Sequence, residues 1–266
     1  MLFGRSCLMN PDRHGAFTLL ELLVVIAVMS LLLSLMLPAL TQARYQANLV
    51  ACMSNLRQMN LGVMSYAADA DGLYPLRLGI WKNQWSALNA IKDHRRPTND
   101  DRPRLKAYMD LKVLNCPLGP RPDLDVEMLD TQWIYGGYIM LWGIRYLDHP
   151  LRARVGDPLI DPAGREHRVL AGDADMCDPP QPWRTSLHPV PGYYPSTAGW
   201  NEWMIEGENA RTQPIDLNFL YDDGSVRRLS QVVDPYPKPP SPGATTIPRF
   251  PPSYEVDNHF VVPEPD

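Results

Sequence analysis

The chemistry-bearing residues of this chain are few, and one stands apart. Glu21 is the only strongly polar side chain in the run Phe17–Leu40, FTLLELLVVIAVMSLLLSLMLPAL. A carboxylate inside an apolar helix costs on the order of 2–3 kcal/mol unless it finds a partner, so its presence there points to a function. A second group is Asp173, Asp175 and Asp178 in GDADMCD. Their alternation could present oxygens to Ca2+, but the twelve-residue calcium-loop pattern is missing and three such aspartates are usually just solvated. Asp222 and Asp223 fit a turn better than a ligand pair. Glu202, Glu206 and Glu208 lie close together with no acid–base partner in sight. Trp183, Trp200 and Trp203, beside Tyr193 and Tyr194, could stack on sugars, though core burial is the simpler account. His94, His149, His167, His188 and His259 show no metal-binding repeat. There is no nucleophile elbow, phosphate loop or dinucleotide glycine pattern. These absences point away from an enzyme.

The elements that must carry these residues begin with the apolar run. As a helix it would be roughly 36 Å long, enough to cross a hydrocarbon core of about 30 Å. Ser30 and Ser34 do not spoil it, because a hydroxyl can bond back to the carbonyl one turn earlier. Arg5, Arg13 and His14 precede it, which holds that end in the cytoplasm and sends the C-terminal bulk across the membrane. From Thr41 to Ala70 apolar residues recur at helical spacing: Ala43, Ala47, Val50, Ala51, Met53, Leu56, Met59, Val63, Met64 and Ala67. The pattern predicts one helix through both halves, kinked or locally melted at Pro38. Asp71-Gly72-Leu73-Tyr74-Pro75 is its stop.

Beyond the helix, the chain has room for one sizeable domain within its 266 residues. Twenty-eight prolines favour a loop-rich head over a helical bundle. Arg102–Leu114 is predicted to hold a short helix, Trp133–Tyr146 a core strand and Arg168–Ala171 a second strand. Leu217–Tyr221 and Ser225–Leu229 flank Asp223-Gly224, a strong hairpin signal. The proline-dense stretch 234–266 is predicted to be an extended, unfolded tail. A formal charge of −5 and the lack of a basic run exclude a nucleic-acid surface.

The segment His14-Gly15-Ala16-Phe17-Thr18-Leu19-Leu20-Glu21-Leu22-Leu23-Val24-Val25-Ile26-Ala27 resembles the N-terminal processing and methylation motif of type IV prepilins and type II secretion pseudopilins. That resemblance implies a prepilin peptidase that cuts on the cytoplasmic side and methylates the new terminus. Counting back from Glu21 as the fifth mature residue puts the cut between Ala16 and Phe17. The family usually has Gly before the cut, and Gly15 is one position too early, which leaves a cut after Gly15 as the alternative. Cys52-Met53-Ser54-Asn55-Leu56-Arg57-Gln58 and Gly72-Leu73-Tyr74-Pro75 narrow the resemblance to a pilin-like family common in Planctomycetes and Verrucomicrobia. Its C-terminal signature is His-x9-Asp-Gly. Here Asp223-Gly224 matches, while the count places Gln213 where the signature has His.

The resemblance implies a leader at 1–16, a membrane and filament-core helix at 17–40, and its amphipathic continuation at 41–71. An extracytoplasmic head follows at 72–233, then the tail at 234–266. The implied fold is α+β, with the long helix packed on a small antiparallel sheet. The implied function is a structural subunit of a pilus-like filament or secretion pseudopilus, with Glu21 and Pro38 serving assembly. Its partners would be prepilin peptidase, other pilin-like subunits, the assembly platform and the inner membrane. Its place would be the inner membrane, head in the periplasm, or a surface filament. Calcium in the heads of major pseudopilins keeps Asp173, Asp175 and Asp178 as candidates; no other cofactor is implied. Cysteines are frequent in that family at the positions of Cys52 and Cys116, which favours a Cys52–Cys116 disulfide, although Cys177 allows other pairings. The alternative is a membrane-anchored binding protein for polysaccharide or metal that never assembles.

Overall fold

The computed structural model describes residues 18–77, 90–93, 100–119, 125–128, 133–145, 150–151, 153–160, 166–178, 183–186, 188, 204–206, 214–232, 244–248 and 259–263. The architecture is α+β: a long helix, Leu19–Asp69, and antiparallel sheets, of which a four-stranded one holds the core. Two compact units divide the chain, Met1–Ala43 and Arg44–Asp266.

In the first unit the helix is apolar on every side. Leu19, Leu20, Leu31, Leu35 and Met36 are all more than 60% exposed among the described residues. The helix is long and apolar enough to cross a membrane. Its hydroxyls are satisfied on the helix itself. Ser30 Oγ donates to the Ile26 carbonyl at 2.7 Å, Ser34 Oγ to Leu31 at 2.7 Å and Thr41 Oγ1 to Leu37 at 3.1 Å. The helix runs through Pro38 without a break, so the local melting predicted there does not occur. Proline removes one ladder bond, and the bonds on either side suffice to carry the helix past it.

The second unit opens with the other half of the helix. Its buried seam is Tyr45, Leu49, Cys52, Leu56, Met59, Val63 and Ala67, in steps of three and four. This seam is offset from the predicted stripe: Ala43, Ala47 and Val50 are exposed, while Leu49 and Cys52 are buried. Small alanines carry too little apolar area to define a face. The helix stops where the Gly72 amide donates to the Ala67 carbonyl at 2.8 Å, as in a glycine-terminated C-cap.

The central sheet has the order Val226–Val232, Ile215–Tyr221, Val169–Asp173, Tyr138–Met140, all antiparallel. Ile215–Tyr221 is buried at every position, as an interior strand covered on both faces must be. The hairpin joining it to Val226–Val232 turns at Asp223-Gly224, where Gly224 adopts φ +79°. The segment Trp133–Tyr146 holds the expected core strand, Tyr138–Met140 in the central sheet, and two further short strands, Trp133–Tyr135 pairing with Ala90–Asp93 and Ile144–Arg145 pairing with Pro150–Leu151. Gly136-Gly137 and Gly143 interrupt it. Likewise the predicted helix over Arg102–Leu114 is two single turns, Arg102–Leu105 and a 3-10 turn at Leu111–Leu114. A buried ion pair closes this side of the core, with Arg77 Nε 3.0 Å from Asp101 Oδ2.

A five-stranded antiparallel sheet has the order Met204–Glu206, Trp183–Ser186, Asp175–Asp178, His259–Pro263, Ala244–Pro248. Two of its strands come from the stretch predicted to be an unfolded tail. Their register runs from Ala244 opposite Pro263 to Pro248 opposite His259. The prolines Pro248 and Pro263 sit at strand ends, where a missing donor disturbs the ladder least.

Candidate functional site

Two places carry polar groups in settings that require explanation. The first is the start of the long helix. Thr18 and Glu21 form a reciprocal cap: the Glu21 amide donates to Thr18 Oγ1 at 3.2 Å, while Glu21 Oε2 accepts from the Thr18 amide and hydroxyl, both at 2.9 Å. This is the Thr-x-x-Glu capping box, which satisfies two helix-end amides with one pair of side chains. Glu21 therefore has partners within its own chain as well as any that it meets elsewhere. Gly15, Ala16 and Phe17 lie outside the described residues.

The second place is inside the head. Cys52 comes from the helix seam, Cys116 from the loop after the Leu111–Leu114 turn, Asp173 from the end of a central strand and His188 from the segment after Trp183–Ser186. All four are buried, and their donor atoms lie within 4.8 Å of one another. The two sulfurs are 3.2 Å apart; His188 Nε2 is 2.9 Å from Cys116 Sγ and 3.4 Å from Cys52 Sγ. Gly137 makes this approach possible. A Cβ there would lie 2.5 Å from the Cys116 amide nitrogen and would overlap the Cys116 side chain. The Gly137 amide, 2.8 Å from the Leu114 carbonyl, locks the cysteine loop against the strand.

The other face of the imidazole is fixed by acceptors. His188 Nδ1 lies 2.8 Å from the Asp216 carbonyl and 3.0 Å from Asp173 Oδ2, so its proton sits on Nδ1 and Nε2 is turned to the sulfurs. Asp173 Oδ2 also accepts from the Asn218 amide at 2.5 Å, whereas Asp173 Oδ1 is buried without a hydrogen-bond partner. A support ring surrounds the group. Asp216 accepts from Tyr45 at 2.9 Å and Arg228 at 2.7 Å, and Asn55 Nδ2 donates to the Asn115 carbonyl at 3.1 Å and to Tyr138 at 3.2 Å.

The electrostatics follow from this geometry. Burial would push the His188 imidazole down, but the Asp173 carboxylate outweighs it and lifts the group to about 10. The thiols titrate as a pair. The Cys116 thiol hydrogen bond, then His188, bring Cys52 down to about 6, and burial holds Cys116 well above the ordinary thiol value. One proton leaves this pair easily and the second reluctantly. The neighbouring thiol and imidazole thus favour the Cys52 thiolate.

The resemblance joins two of these residues, Cys52 and Cys116, and the structure makes them neighbours. Their sulfurs are unbonded here; a disulfide requires an approach of roughly 1 Å. Asp173 is buried and meets His188. The side chains of Asp175 and Asp178 lie outside the described residues, as do Gln213, Glu202, Glu208 and Cys177 beyond its backbone. His188 stands in the sequence as one of several scattered histidines, since residues 52, 116, 173 and 188 share no spacing that marks a site. Asp223 makes a turn, its Oδ1 accepting from the Ser225 amide at 2.8 Å, with Arg168 Nη2 3.0 Å from Asp222 Oδ1.

A family model described as the prokaryotic N-terminal methylation motif matches residues 12–37. The match spans the expected cut, Glu21 and most of the exposed apolar helix, and supports a type IV pilin-like protein with a prepilin-like N terminus. No curated protein and no solved structure matches the chain.

Proposed function

We propose that this protein is a structural subunit of a type IV pilus-like filament or a type II secretion pseudopilus. The observation that carries the reading is the methylation motif at residues 12–37 coinciding with a helix whose described apolar side chains are exposed. A helix apolar on all sides belongs in lipid or among copies of itself. In this reading prepilin peptidase cuts between Ala16 and Phe17 and methylates Phe17. The membrane then stores the subunit until its helix packs among its neighbours, and the head lies outside the inner membrane. Glu21 pairs with the terminal ammonium of an adjacent subunit, exchanging its local donors for a charged one. His188 lies beside the start of the strand that leads to Asp223-Gly224, its carbonyl accepting from the Asp216 amide at 3.3 Å.

Terminal mass spectrometry of the protein from its native membrane, with fractionation of sheared filaments, tests the reading. A methylated Phe17 terminus in sheared filaments is expected. An uncleaved chain confined to the membrane would overturn it in favour of an anchored binding protein.

A further inference from the structure

We propose that Cys52, Cys116 and His188 form a binding site for a thiophilic d10 metal ion, Zn2+ or Cu+, with Asp173 positioning the imidazole. Three donors of the soft-ligand class converge at separations of 2.9, 3.2 and 3.4 Å in a fully buried place. Lone pairs that converge this closely need an electrophile between them. Protons satisfy part of that need in the reduced apoprotein, and a metal ion satisfies all of it.

The arrangement around the histidine points the same way. A metal-ligating imidazole characteristically donates its remote N–H to a carboxylate or backbone carbonyl, which fixes ring and tautomer. His188 Nδ1 has one of each, Asp173 Oδ2 at 3.0 Å and the Asp216 carbonyl at 2.8 Å. The orphaned Asp173 Oδ1 is a second, independent sign, for a buried carboxylate oxygen with no donor is costly unless a cation lies near it. The two sulfurs and the imidazole nitrogen alone serve Cu+, whereas Zn2+ favours a fourth donor. With metal–sulfur bonds near 2.3 Å and metal–nitrogen bonds near 2.0 Å, tetrahedral edges are roughly 3.5–3.7 Å. The three donors need to spread by about half an ångström, within reach of small χ1 rotations.

Binding releases two protons from the group of two thiols and the imidazole, and no electron is transferred. The loaded site and a Cys52–Cys116 disulfide are mutually exclusive states of one sulfur pair. The site thus belongs to the reduced chain, and loading should protect the sulfurs from oxidation.

The test uses the full chain in detergent, reduced under anaerobic conditions, given Zn2+ or Cu+ alone, desalted and assayed for metal and protein. One ion per chain is expected, with the ion that survives an equimolar challenge by the other identifying the native occupant. Co2+ in place of Zn2+ should give the intense visible bands of tetrahedral thiolate coordination. The Cys52→Ser/Cys116→Ser and His188→Gln variants should lose the ion, and Cys177→Ser should keep it. Asp173→Asn should weaken binding by about 10–100-fold while retaining the cobalt spectrum, as a positioning residue does. Since variants of buried residues can misfold, the wild-type stoichiometry decides on its own. Less than a tenth of an ion per chain with thiols confirmed free, or retention of the ion by the double serine variant, would overturn the proposal.

Discussion

Glu21 shows how one residue can have two employments that a single substitution confuses. Its carboxylate caps its own helix through Thr18, and alanine there forfeits a cap as well as a charge. Glutamine can occupy the same capping-box position and carries no charge. If the charge serves assembly, Glu21→Gln should be excluded from sheared filaments as fully as Glu21→Ala, with both variants abundant in the membrane pool. Gln variants that enter filaments at the wild-type level would reduce Glu21 to a cap. In the head, the reduced and metal-free cluster has a pH signature whose sign can be worked through. His188 is raised from 6.5 to about 10, so its contribution to stability is complete below 6.5 and is lost as pH rises through about 10. Cys52 is lowered from 9.0 to about 6, so its contribution is complete above 9 and is lost as pH falls towards 6. The two oppose each other between 6.5 and 9, leaving stability flat there; above about 9 it falls, as His188 loses its proton and the raised Cys116 thiol holds one that the unfolded chain gives up. Denaturant midpoints across that range should show the plateau and the fall, and His188→Gln should make the fall shallower.

At the scale of elements, legibility tracked how local the signal was. The long helix was readable because its apolar run and glycine stop are contiguous, and the Asp223-Gly224 hairpin because the turn chemistry sits in two adjacent residues. The Trp133–Tyr146 segment announced its core strand but not that strand's ends, because aromatic and β-branched content marks strand propensity alone. Gly136-Gly137 divides it, and Gly137 does so because Cys116 needs the room. Gly137→Ala should therefore destabilise the head by about 1–3 kcal/mol, measured as a lowered denaturation midpoint, with the thiols becoming more reactive as the cysteine loop is pushed out. The cluster was half legible. Resemblance paired the cysteines, but nothing in the sequence tied residue 188 to residue 52. The Arg77–Asp101 pair was likewise invisible, since it links a loop after the helix to the cap of a single turn. Arg77→Ala takes the guanidinium away from a buried carboxylate and should cost about 3–5 kcal/mol, while Arg77→Met with Asp101→Leu should recover most of that loss.

For the whole molecule, one consequence lies in the pairing of His259–Pro263 with Asp175–Asp178. The five-stranded sheet cannot close until a late stretch of chain arrives beside an early one. Until then Asp175–Asp178 is a bare margin of unpaired amides and carbonyls, open to any passing strand. A protein delivered across a membrane helix first would hold that margin open for the longest part of its passage. The price of so late a lock is a window of vulnerability, and a chain truncated before Ala244 would never leave it. Such a truncation should reach the envelope, yet accumulate there as cross-linkable aggregates or proteolytic fragments, and a soluble, protease-resistant product would show that the closing strands are dispensable. The C-terminal stretch, far from idle, would then act as the seal on a finished subunit, separating those fit for assembly from those still being made.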